Sequence, residues 1–161
     1  MNIAILQILL LLAVANGAPV LARALFKQRF DYPLDGGRRF FDGRPVLGAS
    51  KTIRGVLVSL LITGVVAGLM GLTFLFGMAF GTLAMLGDLL SSFTKRRRGL
   101  APSSCAYGLD QVPEALFPTV FAASRMDLGV TDVVLVVVLF FVFEVTLSPL
   151  LFRLGIRKQP Y

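Results

Sequence analysis

The chain has 161 residues, 56% of them hydrophobic, a formal net charge of +7 and no histidine. A soluble domain of this length interleaves apolar and polar residues to wet its surface, and long charge-free stretches exclude that class here. The single cysteine, Cys105, rules out an internal disulfide, and without histidine a cysteine–histidine nucleophile is excluded too.

A transmembrane helix needs about 20 mostly apolar residues. Ile3 to Leu25 meets that requirement. Ala13-Val14-Ala15 resembles a signal-peptide cleavage site, but no basic n-region precedes it, so the segment is expected to persist as the first span. Gly55 to Leu86 carries no charge over 32 residues. That is too long for one span and suits a hairpin of two, turning near Gly71 to Gly77. Ala115 to Ala123 is short, with Pro113 and Pro118 beside and within it, and is expected as the fourth span. Val130 to Phe152 makes the fifth.

The basic residues set the orientation. Arg23, Lys27, Arg29, Arg38, Arg39, Arg44, Lys51 and Arg54 lie around the first connection, Lys95 to Arg98 follow the third span, and Arg153, Arg157 and Lys158 form the tail. Five spans put all of these on one side and leave Arg125 alone on the other. The positive-inside rule makes the basic side cytoplasmic. Four spans would place the tail outside, against that rule. The expected fold is therefore an all-α membrane protein of about five transmembrane helices, N-terminus outside and C-terminus cytoplasmic. It forms one polytopic domain over residues 1–161, with functional cytoplasmic loops at 27–54 and 95–111. In this setting the positive charge implies topology and contact with membrane lipids, and no nucleic acid partner.

The first loop is dense in glycine, arginine and aspartate from Asp31 to Gly55. Glycines let backbone N–H groups approach an anion, and Lys51 and Arg54 stand where the second span begins, a helix terminus that favours phosphate. Gly43 to Thr52 is not a P-loop, because the spacing from Gly48 to Lys51 is wrong and no strand precedes it. As a bare charge run, the loop would be a solvated lipid-facing segment; Asp31, Asp35 and Asp42 among the arginines argue against that. In the third span Asp88, Ser91, Ser92 and Lys95 fall on one helical stripe. A carboxylate at that depth is costly unless it faces a cavity, a metal or a partner. Asp110, opening the fourth segment, brings a second carboxylate to the same level. Two carboxylates beside lysines and arginines suit Mg²⁺ with a polyphosphate. Glu144, deep in the fifth span, is a further intramembrane ionisable group, with an interhelical hydrogen bond as the structural alternative.

The strings Leu34-Asp-Gly-Gly-Arg-Arg-Phe-Phe-Asp-Gly-Arg-Pro-Val-Leu-Gly48, Lys51-Thr-Ile-Arg-Gly55, Gly87-Asp-Leu-Leu-Ser-Ser-Phe-Thr-Lys-Arg-Arg-Arg-Gly99 and Gly108-Leu-Asp-Gln111 resemble the CDP-archaeol synthase family. This is the small five-span branch of the CTP:phosphatidate cytidylyltransferase-like membrane enzymes. The resemblance implies an enzyme of the cell membrane with its active site on the cytoplasmic side. It would join CTP to a lipid phosphate, archaetidic-acid-like or phosphatidic acid, with Mg²⁺ as cofactor and release of pyrophosphate. Residue by residue, it implies Asp88 and Asp110 as metal ligands and, with Lys51, as the catalytic centre. Arg38, Arg39, Lys51, Arg54 and Lys95 would meet nucleotide phosphates, and Asp42 would shape the first loop. The chain departs from the pattern at Pro113, where the family usually has an aspartate, and Glu114 follows it. A lipid phosphate is already anionic at neutral pH, so attack on the α-phosphorus needs no general base. Two other readings fit the same residues: a CTP-dependent lipid kinase, and a non-catalytic protein that binds anionic lipid through its basic loops.

Overall fold

A computed structural model describes residues 2–153, so the tail carrying Arg157 and Lys158 lies outside the described residues. Five helices follow in order: α1 (Ile3–Phe26), α2 (Ile53–Leu69), α3 (Phe74–Arg97), α4 (Gln111–Met126) and α5 (Val130–Arg153). There is no strand among the described residues, only two isolated bridges in the first loop. Of the five, α1, α3 and α5 are each long and apolar enough to cross a membrane, while α2 is a shorter apolar helix of 17 residues. α4 has 16 residues and carries Pro118 inside it, about 24 Å of helix.

Each helix starts and stops for local reasons. Asn2, Thr52 and Thr73 cap α1, α2 and α3, each side-chain oxygen accepting from a backbone N–H of the first turn. The expected turn near Gly71 to Gly77 occupies residues 70–73. One boundary differs from the sequence reading. Lys95, Arg96 and Arg97, expected to open the second loop, form the last turn of α3, where cations complement the helix dipole.

Neighbours in sequence pack as neighbours in space, and α1 closes the bundle against α5. The core is built from the Ile5, Ile8, Leu11 and Leu12 face of α1 with Phe80, Ala115, Val136 and Phe140. Small residues make the tightest seams, as is common where helices meet without a hydrophobic driving force between them. A Cβ on Gly77 would fall 2.5 Å from both the Thr63 carbonyl oxygen and Ala67 Cβ, so only glycine lets α3 lie this close to α2. A Cβ on Gly87 would fall 2.3 Å from the Pro113 carbonyl oxygen, so the same device brings α3 against the first turn of α4. Around the outside, Leu6, Leu10, Leu57, Leu61, Leu86, Leu90, Val134 and Val138 are exposed, a surface suited to lipid.

The first loop is folded rather than trailing. Leu34 N donates to Lys51 O at 2.7 Å and Ile53 N to Tyr32 O at 3.1 Å, closing its two ends. Within it, residues 38–46 form a small hairpin: Phe40 N donates to Arg44 O and Val46 N to Arg38 O. Asp35 is its internal anchor, accepting from Gly37 N (2.9 Å), Leu47 N (2.8 Å) and Gly48 N (3.0 Å). Burial alone would raise the Asp35 pKa, but these backbone donors outweigh it and hold the carboxyl below its ordinary value. Asp31 pairs with Arg54 at 3.0 Å and Asp42 with Arg97 at 2.5 Å. All three aspartates of the loop are thus structural pins.

Candidate active site at the basic end of the bundle

Gly87 draws α3 and α4 together at the level where their charged residues begin, and the chemistry gathers there. A cavity of ≈ 1380 Å³ is walled by Lys51 before α2, by Asp88, Ser92, Lys95 and Arg96 on α3, by Asp110, Gln111 and Glu114 on α4, and by Glu144 on α5. Arg23, Lys27 and Arg29 line it from the end of α1. Four helices and two loops therefore contribute to a single site.

Two lysine–aspartate pairs dominate it. Lys51 Nζ lies 2.6 Å from both carboxylate oxygens of Asp88, joining the first loop to α3. Lys95 Nζ lies 2.6 Å from Asp110 Oδ1 and donates to Ser104 O at 3.0 Å, joining α3 to the second loop. The other oxygen of Asp110 accepts from Ala106 N at 3.0 Å. Burial alone would lower the Lys51 pKa, but the charge and hydrogen bond of Asp88 outweigh it and hold the ammonium above its ordinary value. Lys51 is a cation here and not a base. The Ser91 hydroxyl, shared between Gly87 O and Leu109 O, ties α3 to the segment that delivers Asp110.

Two further charges of the inner wall, Arg96 and Glu114, have unmet capacity. Arg96 is 3% exposed, and its Nε and Nη1 find no hydrogen-bond partner among the described residues. Glu114 is 5% exposed, its Oε1 is likewise unpartnered, and it feels the charges of Glu144, Asp88, Lys51 and Asp110. A buried guanidinium with open donors is an incomplete anion site, because an unmet buried charge is costly.

The residues expected from sequence divide accordingly. Asp88, Asp110, Lys51 and Lys95 come together in the cavity. Arg54 is occupied in closing the first loop: it donates to the carbonyls of Lys27 and Arg29 and pairs with Asp31, and it borders only a small side cavity of ≈ 70 Å³ with Lys51 and Asp88. Arg38, Arg39 and Asp42 do not line either cavity and belong to the hairpin. The N-terminus of α2 is engaged by its own cap, with Gly55 N donating to Thr52 Oγ1 at 3.1 Å. Sequence reasoning passed over Arg96, although it lies beside the Asp88–Lys95 stripe on the same helix. It singled out Glu144 as an intramembrane ionisable group and noted Glu114 after Pro113 without giving either a role, and both line the cavity.

The donor chemistry fits a hard divalent cation. Asp88 already chelates an ammonium with both oxygens, and Glu114 Oε1 is a buried carboxylate oxygen with no partner among the described residues. No three acidic, histidine or cysteine side chains converge as a ready metal cluster among the described residues. Mg²⁺ commonly takes one or two carboxylates and completes its shell with water and substrate phosphate.

Comparison with known proteins points to one family. A family model described as CarS-like, CDP-archaeol synthase, matches residues 3–161. The CDP-archaeol synthase of Sulfurisphaera tokodaii is 34% identical over 135 residues, 80% of this chain and 81% of that one. Its counterpart from Pyrobaculum calidifontis is 34% identical over 158 residues, covering 92% and 91%. That from Hyperthermus butylicus is 43% identical over 104 residues, covering 61% and 59%. A solved structure described as an intramembrane enzyme for archaeal membrane lipids biosynthesis superposes with a TM-score of 0.68 at 24% identity, over 84% of this chain and 89% of that one. That likeness establishes the fold.

Proposed function

The chain belongs to the CarS-like CDP-archaeol synthase family, and from that premise we propose how its cavity performs the transfer. The protein is a membrane cytidylyltransferase that makes a CDP-lipid from CTP and a lipid phosphate. The finer reading is that it requires Mg²⁺, works from the cytoplasmic face of the cell membrane and uses the paired residues of the cavity as follows.

The observation that carries this reading is two internally neutral lysine–aspartate pairs beside the buried, unsatisfied Arg96. A polyphosphate entering the cavity offers anionic oxygens to Arg96 and to both ammonium groups. Asp88 and Asp110, with Glu114 in reach of the same space, would hold Mg²⁺, which supplies charge neutralisation on the phosphates. Lys51 and Lys95 then exchange a carboxylate partner for a phosphate oxygen, moving little. A lipid phosphate oxygen attacks the α-phosphorus, the bond to the β-phosphate oxygen breaks, and pyrophosphate leaves. The nucleophile is already an anion, so the protein's contribution is alignment and fixed positive charge. Val20, Ala24, Leu25 and Phe26 of α1 line the same cavity as Arg23, which supports a lipid whose chains stay in the apolar part while its phosphate reaches the cations.

Purified protein in detergent, given CTP, Mg²⁺ and an ether- or ester-linked lipid phosphate, tests this directly. Lipid-dependent pyrophosphate release that stops in Asp88→Asn and Asp110→Asn is the expected result. Release of CDP in place of pyrophosphate would mark a lipid kinase and sink the proposal.

A further inference from the structure

A single exposed phenylalanine is ordinary on any protein surface, but Phe41 is 99% exposed at the tip of a hairpin whose position is fixed by neighbouring contacts. The preceding residue, Phe40, packs edge-on against Phe93 of α3 with ring centroids 5.4 Å apart. The Arg97 guanidinium lies over both rings, 4.6 Å from the Phe40 centroid and 5.0 Å from that of Phe93, and also pairs with Asp42. Leu86, Leu90, Phe93 and Arg97 follow one another at spacings of four, three and four, a single stripe of α3. It lies opposite the buried stripe of Ala84, Ser91 and Lys95. Leu86 and Leu90 are about half exposed on it, which is the surface α3 turns to lipid.

The hairpin therefore hangs over the outer rim of the bundle at the depth where apolar residues give way to the Lys95–Arg98 cluster. Phe41 stands next to Phe40, centroids 5.1 Å apart, with nothing from the described chain covering it. Arg38, Arg39 and Arg44 surround it in the same hairpin and are exposed. An aromatic tip ringed by cations at the membrane boundary has the chemistry of an interfacial anchor: the ring enters the headgroup–acyl boundary and the guanidiniums meet anionic headgroups.

We propose that the 38–46 hairpin is a membrane-dipping anchor, with Phe41 inserted into the bilayer leaflet beside α3 and Arg38 and Arg39 bound to its anionic headgroups. This rests on α3 crossing the membrane and is independent of the reaction in the cavity.

The chain contains no tryptophan, so Phe41→Trp creates a single reporter at the tip. The variant is reconstituted into vesicles of phosphatidylcholine and phosphatidylglycerol carrying bromine high on the acyl chains. Emission shifted to the blue, quenched by the brominated lipid and shielded from aqueous acrylamide is the expected result. Adding Arg38→Gln and Arg39→Gln should lower quenching by brominated phosphatidylglycerol more than quenching by brominated phosphatidylcholine. Leu86→Trp, quenched by bromine deep in the chains, verifies insertion of the bundle in the same vesicles. A Phe41→Trp reporter open to acrylamide and indifferent to bromine overturns the proposal. So does one shielded from both, which would place the tip against another protein copy. Pyrophosphate release measured on the same samples keeps either outcome separate from the reading of the active site.

Discussion

Replacing Gly87 with alanine tests whether the α3–α4 seam sets the geometry of the site. The new Cβ would stand 2.3 Å from the Pro113 carbonyl oxygen, 2.4 Å from its carbon and 2.5 Å from Glu114 N, all of them backbone atoms without a rotamer to escape into. Ordinary contact begins at 3.4 Å, so the first turn of α4 must retreat by roughly 1 Å in a closely packed interior. Asp110 and Glu114 travel with that turn while Asp88 stays with α3, and the carboxylates of the two helices separate. Misplacement on this scale costs about 10²-fold in rate. Stability changes less: alanine gains about 1 kcal/mol over glycine in a helix, and overpacking costs about 1–3 kcal/mol. The variant is therefore expected to fold, melt within a few degrees of the parent and release pyrophosphate about 10²-fold more slowly at saturating substrates. Gly68→Ala is the control, since a Cβ there meets nothing within 4 Å. A Gly87→Ala protein that turns over at the parental rate would refute the reasoning, because the contact would then be absorbed without moving the carboxylates.

Three further outcomes are expected. Arg96→Gln should raise the KM for CTP by roughly tenfold or more, the worth of a hydrogen bond to a charged group, with kcat less affected; unchanged steady-state kinetics would remove Arg96 from the phosphate site. Cys105 lines the cavity, and burial, with a smaller contribution from Asp110, raises its thiol pKa, so alkylation at neutral pH should be slow, quicken with rising pH and be suppressed by CTP. Alkylation as fast with CTP as without would place the nucleotide elsewhere. Asp35 has a folded pKa below its unfolded value, so its contribution is present above pH 3.8 and is lost as pH falls through the folded pKa. Thermal melts of Asp35→Asn in detergent should show a loss of about 1 kcal/mol at neutral pH and a shallower decline in acid than the parent.

The five helices were legible because unbroken apolar length is a property that composition states directly, and α1, α3 and α5 are long and apolar enough to cross a membrane. Four of the five helices begin or end within a few residues of the hydrophobic runs, and α4 is recognisable despite Pro118. The pairing of Asp88 and Asp110 with cations could be expected, since lone carboxylates do not persist at that depth. Which cation meets which carboxylate could not, because Lys51 and Asp88 are joined only when the first loop folds back on α3. The same long-range step hid the place of Arg38 and Arg39. They share a run with Phe40, and it is the packing of Phe40 on Phe93 that carries them off the cavity. Arg96 was overlooked because a run of four basic residues looks uniform until helical phase decides which one turns inward.

The α2–α3 seam has a consequence for how the protein is made. The turn at residues 70–73 holds no charged side chain, and neither does the helical stretch on either side of it, from Gly55 in α2 to Gly87 in α3. Gly64, Gly77 and Gly81 allow the two helices to zip closely from that turn. This hairpin can enter the bilayer as one neutral unit, its insertion doing no work against the membrane potential, whereas each charge carried across would meet about 2.3 kcal/mol per 100 mV. Bulk introduced at Gly77 should therefore appear first as failed insertion and low abundance in the membrane. Loss of turnover in assembled protein would be the lesser effect.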